Sequence, residues 1–254
     1  MSSHPQPDNT GHRSRIREKY LHLGAKAFED YELLELILSY ALPRRDVKPL
    51  AKALLLEFGS ISKVIDAPIE QLVKVKGLSH NSAILLKLTK DLAIRYQEQD
   101  IRSEDIMNNP GKIANFARIR LGGMNVEAMM VLFLNTQNIL IEHEIVSEGT
   151  TDQVNVYPAE IARKALLYHA KSIILCHNHP GGKVKPSEDD IQVTRQLRDI
   201  LRAVNIFVLD HIIVSRFNVF SLRREQDNMP SRARVLDPLP GMNVCAKPEG
   251  EYEL

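Results

Sequence analysis

The chain has 254 residues, enough for one large domain or two modest ones, each able to bury a core. Hydrophobic residues make up 44% and charged residues 26%, an ordinary soluble composition that excludes a disordered chain. A formal net charge of +1 names no partner class, and two cysteines, Cys176 and Cys245, exclude a disulfide framework and fit a reducing cytoplasm.

The amino terminus, MSSHPQPDNTGHRSR, is polar and lacks the apolar core of a signal peptide. No apolar run is long enough to span a bilayer, so a cytoplasmic protein with no membrane segment is expected. Residues 1–22 read as a mobile polar arm. From residue 23 to 98 the apolar residues fall at helical spacing. Leu33, Leu34, Leu36 and Ile37 form one stripe, and Leu50, Ala53, Leu54 and Phe58 a second, with Gly59 where a helix stops. A short helix opens at Pro68, Gly77 breaks the pattern, and a last helix starts at about His80. This part is expected to be a small all-helical domain.

Charge, Asn-Asn and Pro-Gly mark a linker near residues 99–108, with a second domain expected over 105–225. There the period changes. "AMMVLFLN" and "ILIEHEIV" flank Thr136, Gln137 and Asn138 and read as a hairpin. A helix from Pro158 leads into the apolar strand "SIILC"; a second helix, "SEDDIQVTRQLRDILRAV", leads into "IFVLDHIIV" and "VFSL". The pattern is α/β. Residues 226–254, rich in proline, glycine and charge, read as a poorly ordered tail.

The chemistry concentrates in "CHNHPGGKVKPSEDD". An Ile- and Leu-rich strand holds the side chains at its carboxyl end on the rim of a sheet, where open α/β folds place their sites. His177 and His179, two residues apart, put both rings on one side and can converge on one ion. A catalytic zinc takes three protein ligands and keeps a fourth position open. Asp190, in the first turn of the following helix, is placed to be the third. Zinc so held lowers the pKa of water to about 7. The competing reading is a capping pair, Ser187 with an acidic residue three positions on, which needs no metal. Cys176 alternates to the other side of the strand and reads as a buried thiol, and His211 as a satisfied strand histidine.

The spacing His177-x-His179-Pro180, six residues, then Ser187-x-x-Asp190 resembles the JAMM (MPN-plus) metalloprotease signature. With "LDHIIV" downstream and "VLFLNTQN" upstream, the chain resembles the RadC family over roughly residues 20–225. The resemblance implies a JAMM/MPN-like, cytidine-deaminase-like α/β fold: a mixed sheet flanked by helices, after a small all-α helix-hairpin-helix-like domain. It implies a zinc-dependent hydrolase of peptide or isopeptide bonds. His177, His179 and Asp190 would be zinc ligands and Ser187 would help hold the oxyanion. A glutamate before Gly-Thr would be the general base, which is Glu144 in "EIVSEGT", with Glu142 and Glu148 as competitors.

"VKVKGLSHNSAILL", residues 73–86, resembles the turn of a helix-hairpin-helix element, whose backbone N–H groups face a phosphate. Ser79 stands where that turn has its second glycine. Lys74, Lys76, Lys87 and Lys90 are candidate phosphate contacts for sequence-independent DNA binding through residues 73–90, an interaction that weakens steeply with salt. The alternative to an enzyme is a non-enzymatic DNA-binding or partner-binding module with the JAMM-like domain as scaffold. The letters His-Asn-His do not make a nuclease, and the zinc-deaminase pattern and His-Glu-x-x-His are absent.

Overall fold

The computed structural model describes residues 9–149, 157–226 and Leu236. The chain divides into two compact units, Met1–Tyr96 and Gln97–Leu254.

The first unit is helical: α1 (Asn9–Leu23), α2 (Asp30–Ala41), α3 (Lys48–Phe58), α4 (Ile61–Asp66), α5 (Ile69–Leu72) and the larger part of α6 (His80–Arg102). Local chemistry sets the ends. A Glu29–Glu32 capping box starts α2, Pro49 sits in the first turn of α3, and Gly59 closes α3 in the left-handed region at φ 84°. Of the predicted stripes, Leu34, Leu50 and Leu54 enter the core, buried with Leu38, Val64, Leu72 and Leu86; Ile37 and Phe58 pack against it partly buried, and Ala53 is exposed.

Two expectations need correction here. The arm read over residues 1–22 is helical from Asn9, and it docks because the guanidinium of Arg13 donates to the carbonyls of Ser39, Leu42 and Arg45, which close the carboxyl end of α2. Ile16 is buried, and His12 Nε2 lies 2.6 Å from the buried carboxylate of Glu35. A polar composition hid a helix whose contacts are made by long charged side chains. The linker read near residues 99–108 differs as well, since α6 continues to Arg102 and the division between units falls inside it.

The glycine turn predicted between α5 and α6 is present, with Gly77 at φ 99° and Arg45 Nη1 donating to its carbonyl at 2.9 Å. Ser79 accepts a bond from Ser82 N at 3.2 Å and so caps α6. The four lysines near it differ. Lys87 Nζ donates to the carbonyls of Ile65 and Asp66, and Lys90 pairs with the Asp66 carboxylate at 2.8 Å. Lys74 and Lys76 line a cavity of about 300 Å³ with Ala53, Leu56, Glu57 and Val75.

In the second unit, α7 (Pro110–Leu121), β1 (Ala128–Leu134), β2 (Leu140–Glu148), α8 (Pro158–Leu167), β3 (Ser172–Asn178), α9 (Glu188–Arg202), β4 (Phe207–Val214), β5 (Val219–Ser221) and α10 (Leu222–Gln226) build a mixed sheet flanked by helices. The strand order is β2-β1-β3-β4-β5; β3 and β4 are parallel and the other neighbours antiparallel. The register puts Met129, Val131, Phe133, Ile173 and Leu175 on one face, packed on Ile161 and Ala165 of α8 and Leu197 and Leu201 of α9. On the other side α7 packs on β3 and β4. Leu236, from the segment expected as a tail, is buried in the α8–α9 core; residues 227–235 and 237–254, with Cys245, lie outside the described residues.

Candidate metal centre

All seven residues of β3 are buried, and its backbone is paired on both sides, so its last side chains have little freedom. His177 sits opposite Met129 of β1 and Ile213 of β4. The chain continues the ladder one step further, since His179 N donates to Val214 O at 2.9 Å. It then turns, with Gly182 N bonded to His179 O and Gly182 at φ 86°. Between the two histidines Asn178 points the other way. Its amide accepts from Ala128 N at 2.8 Å and donates to Val126 O at 2.9 Å, pinning the entry of β1 to the end of β3.

The loop then delivers Ser187 as the cap of α9. The Ser187 hydroxyl donates to Asp190 Oδ2 at 2.7 Å, the Ser187 amide donates to the same oxygen at 2.7 Å, and Asp190 N returns a bond to Ser187 Oγ at 3.1 Å. The cap and the ligand readings are therefore compatible. Oδ2 carries the two bonds from Ser187, and Oδ1 faces His177 Nε2 at 3.2 Å.

His177, His179 and Asp190 place one ligand atom each within 4.8 Å of one another. The two Nε2 atoms are 2.8 Å apart, and His179 Nε2 is 3.6 Å from Asp190 Oδ2. His179 Nδ1 lies 2.7 Å from the carbonyl of Lys183. A carbonyl only accepts, so Nδ1 carries the proton and Nε2 turns its lone pair toward the other groups. Lone pairs and a carboxylate crowded together repel unless a cation lies between them, and two imidazoles with one carboxylate is a donor set that zinc takes. The residues fit the ion.

The electrostatics agree. Burial, with help from the neighbouring His211, holds His177 well below the usual imidazole range. The carboxylate of Asp190 nearby raises His179. Burial would raise Asp190, but the nearby rings of His179 and His177 and the two bonds from Ser187 outweigh it and hold the carboxyl below its ordinary value.

Residues 107–228 match the RadC-like JAB domain family, and residues 9–84 match the UPF0758 N-terminal family. A UPF0758 protein of Fusobacterium nucleatum subsp. nucleatum is 37% identical over 227 residues, which is 87% of this chain and 98% of the relative. Another, from Ruegeria pomeroyi, is 37% identical over 214 residues, 84% of this chain and 96% of the relative. The chain belongs to the UPF0758 family. Its mixed α/β unit is a RadC-like JAB domain preceded by a helical region, as the resemblance implied.

Within this UPF0758 chain the remaining sequence candidates stand as follows. Glu144 lies on β2 opposite Val131, which pairs with Leu175, so it shares the His177 face of the sheet but sits further from the rim. Its carboxylate is held by Lys164 Nζ and Tyr168 Oη of the α8 region. Those two bonds, that of Lys164 first, hold it below the ordinary glutamate range. Glu142 pairs with Arg102 at 3.1 Å. The Glu148 side chain lies outside the described residues.

Two polar residues that sequence reasoning left aside are joined to the triad. His211, which pairs with Leu175 across β3 and β4, places Nε2 2.7 Å from His177 Nδ1. Thr194 Oγ1 lies 2.6 Å from His211 Nδ1 and 2.6 Å from Asp190 O. The signal for Thr194 was its position four residues after Asp190 on the same face of α9; for His211 the signal exists only in strand pairing. Cys176 is a buried free thiol on the opposite side from His177, as alternation requires, and burial raises it well above its usual value. No helix among the described residues is long and apolar enough to cross a membrane.

Proposed function

We propose that this RadC-like JAB domain is a zinc-dependent hydrolase that cleaves a peptide or isopeptide bond in a protein or peptide substrate. The observation that carries the reading is the convergence of two imidazole Nε2 atoms and the Asp190 carboxylate at the rim of the sheet, with His179 Nδ1 already committed to Lys183 O. A zinc ion there would supply Lewis acidity at the scissile carbonyl and make water acidic enough to ionise near neutral pH.

His177, His179 and Asp190 would hold the ion, with the carboxylate position fixed by the capping bonds from Ser187. The Ser187 hydroxyl has a single proton, which in the described state goes to Asp190. Turned from Asp190 toward the substrate, that hydroxyl would donate to the substrate oxyanion, a contribution of about 2.7–4 kcal/mol for donors of this kind. Glu144 is the general base. Lys164 and Tyr168 keep it ionised, and its proton-accepting role requires the carboxylate to rotate away from them. A base of this kind contributes about 10²- to 10⁴-fold in rate.

The experiment is incubation of the purified chain with a diverse peptide and isopeptide library, with and without a chelator. Turnover lost to the chelator and restored by zinc supports the reading. Turnover that ignores the chelator contradicts it, and no turnover by a zinc-loaded chain favours a scaffold role for the domain.

A further inference from the structure

We infer that Thr194 and His211 are positioning residues that fix the tautomer of His177, so that its Nε2 lone pair, and not an N–H, faces the metal position. The inference rests on the zinc reading above only for its consequence; the order of protons follows from the hydrogen bonds themselves.

The chain of contacts runs from Asp190 O through Thr194 Oγ1 and His211 to His177, with links of 2.6, 2.6 and 2.7 Å. A carbonyl oxygen has no proton to give, so the single Thr194 hydroxyl proton must go to Asp190 O; otherwise two oxygens face each other at 2.6 Å with nothing between them. Thr194 Oγ1 is then the acceptor for His211, which therefore carries its proton on Nδ1. His177 and His211 are both almost fully buried with their ring centroids 4.8 Å apart, an arrangement that disfavours a charge on either ring. A neutral His211 protonated on Nδ1 has a lone pair on Nε2, and that lone pair can only accept from His177 Nδ1. His177 is left with a bare Nε2 beside His179 and Asp190.

The start of the relay is the carbonyl of Asp190, whose own side chain is in the triad. One helical turn of α9 thus supplies a carboxylate to the site and, four residues on, the hydroxyl that sets the far side of the first histidine. His179 reaches the same state independently through Lys183 O. Outer partners of this kind typically change metal affinity 10- to 100-fold when removed.

The test is Thr194→Val, which preserves volume and removes the acceptor, beside Thr194→Ser, which keeps it. Without an acceptor at Nδ1, His211 favours protonation on Nε2, donates to His177, and places the His177 proton where the ion belongs. Zinc affinity, measured by competition with a chromophoric chelator, should fall about 10- to 100-fold in Thr194→Val and hold in Thr194→Ser; equal affinity in all three overturns the inference. Imidazole nitrogen-15 spectra of the metal-free chain read the tautomer directly. They should show His177 protonated on Nδ1 in the wild type and in Thr194→Ser, and protonation on Nε2 in the wild type overturns the inference whatever the variants do. A wild type that takes up no zinc removes the proposed hydrolase, while the same spectra still decide the order of protons.

Discussion

At the scale of single residues, the site depends on side chains that never touch a reacting atom. Asn178, between the two histidines, ties the end of β3 to the start of β1 through one buried and one partly buried bond. Asn178→Ala leaves Ala128 N and Val126 O without those partners and should lower stability by about 1–3 kcal/mol in chemical denaturation. Glu144 makes a different prediction. Its folded-state pKa is depressed by Lys164 and Tyr168, so its contribution to stability is present above the ordinary glutamate range and disappears as pH falls through the lowered value. The melting temperature of the wild type should therefore exceed that of Glu144→Gln at neutral pH, with the gap closing under acid. A gap independent of pH would mean that the charge is not what matters. His177, His179, Ser187 and Asp190 were legible as a linear pattern because all lie within one strand, one turn and one helix start. The surroundings of Glu144 were not, because Lys164 lies on α8, a helix packed on the sheet far from β2 in sequence, and Tyr168 just after it.

At the scale of elements, the helical turn before α6 is fixed by one glycine. Gly77 lies at φ 99°, and a Cβ there would collide with the guanidinium of Arg45. Gly77→Ala should destabilise the first unit by about 1–3 kcal/mol, measured by urea unfolding. Lys87, first read as a phosphate contact, closes the carboxyl end of α4 by donating to Ile65 O and Asp66 O. Lys87→Ala should therefore cost about 1–2 kcal/mol of stability, and a variant as stable as the wild type would contradict this structural role. Helices α2, α3 and α9 were legible through their apolar stripes and their capping or glycine ends, whereas α1 was not. Its helical state depends on Arg13 and His12 reaching α2 and the turn after it, and no short-range pattern records such contacts.

At the scale of the whole molecule, the two periods in the sequence correspond to two units, one helical and one α/β, and the match to the UPF0758 family extends through both. Period and composition carried the fold class, because a buried mixed sheet demands continuous apolar strands and the helical unit demands stripes. The point of division was less legible, since α6 runs on to Arg102, into the start of the charged stretch that resembled a linker. If the JAB unit binds zinc, the ion stabilises only the state that holds the triad together. At a hundred times Kd that amounts to about 2.7 kcal/mol, which should raise the melting temperature of that unit by roughly 5–10 °C and be reversed by a chelator.

The most direct measurement is the zinc content of the purified chain and of His179→Ala and Asp190→Asn, by elemental analysis after dialysis. The account predicts one zinc ion per wild-type chain and none in either variant. Full zinc content in both variants would contradict it.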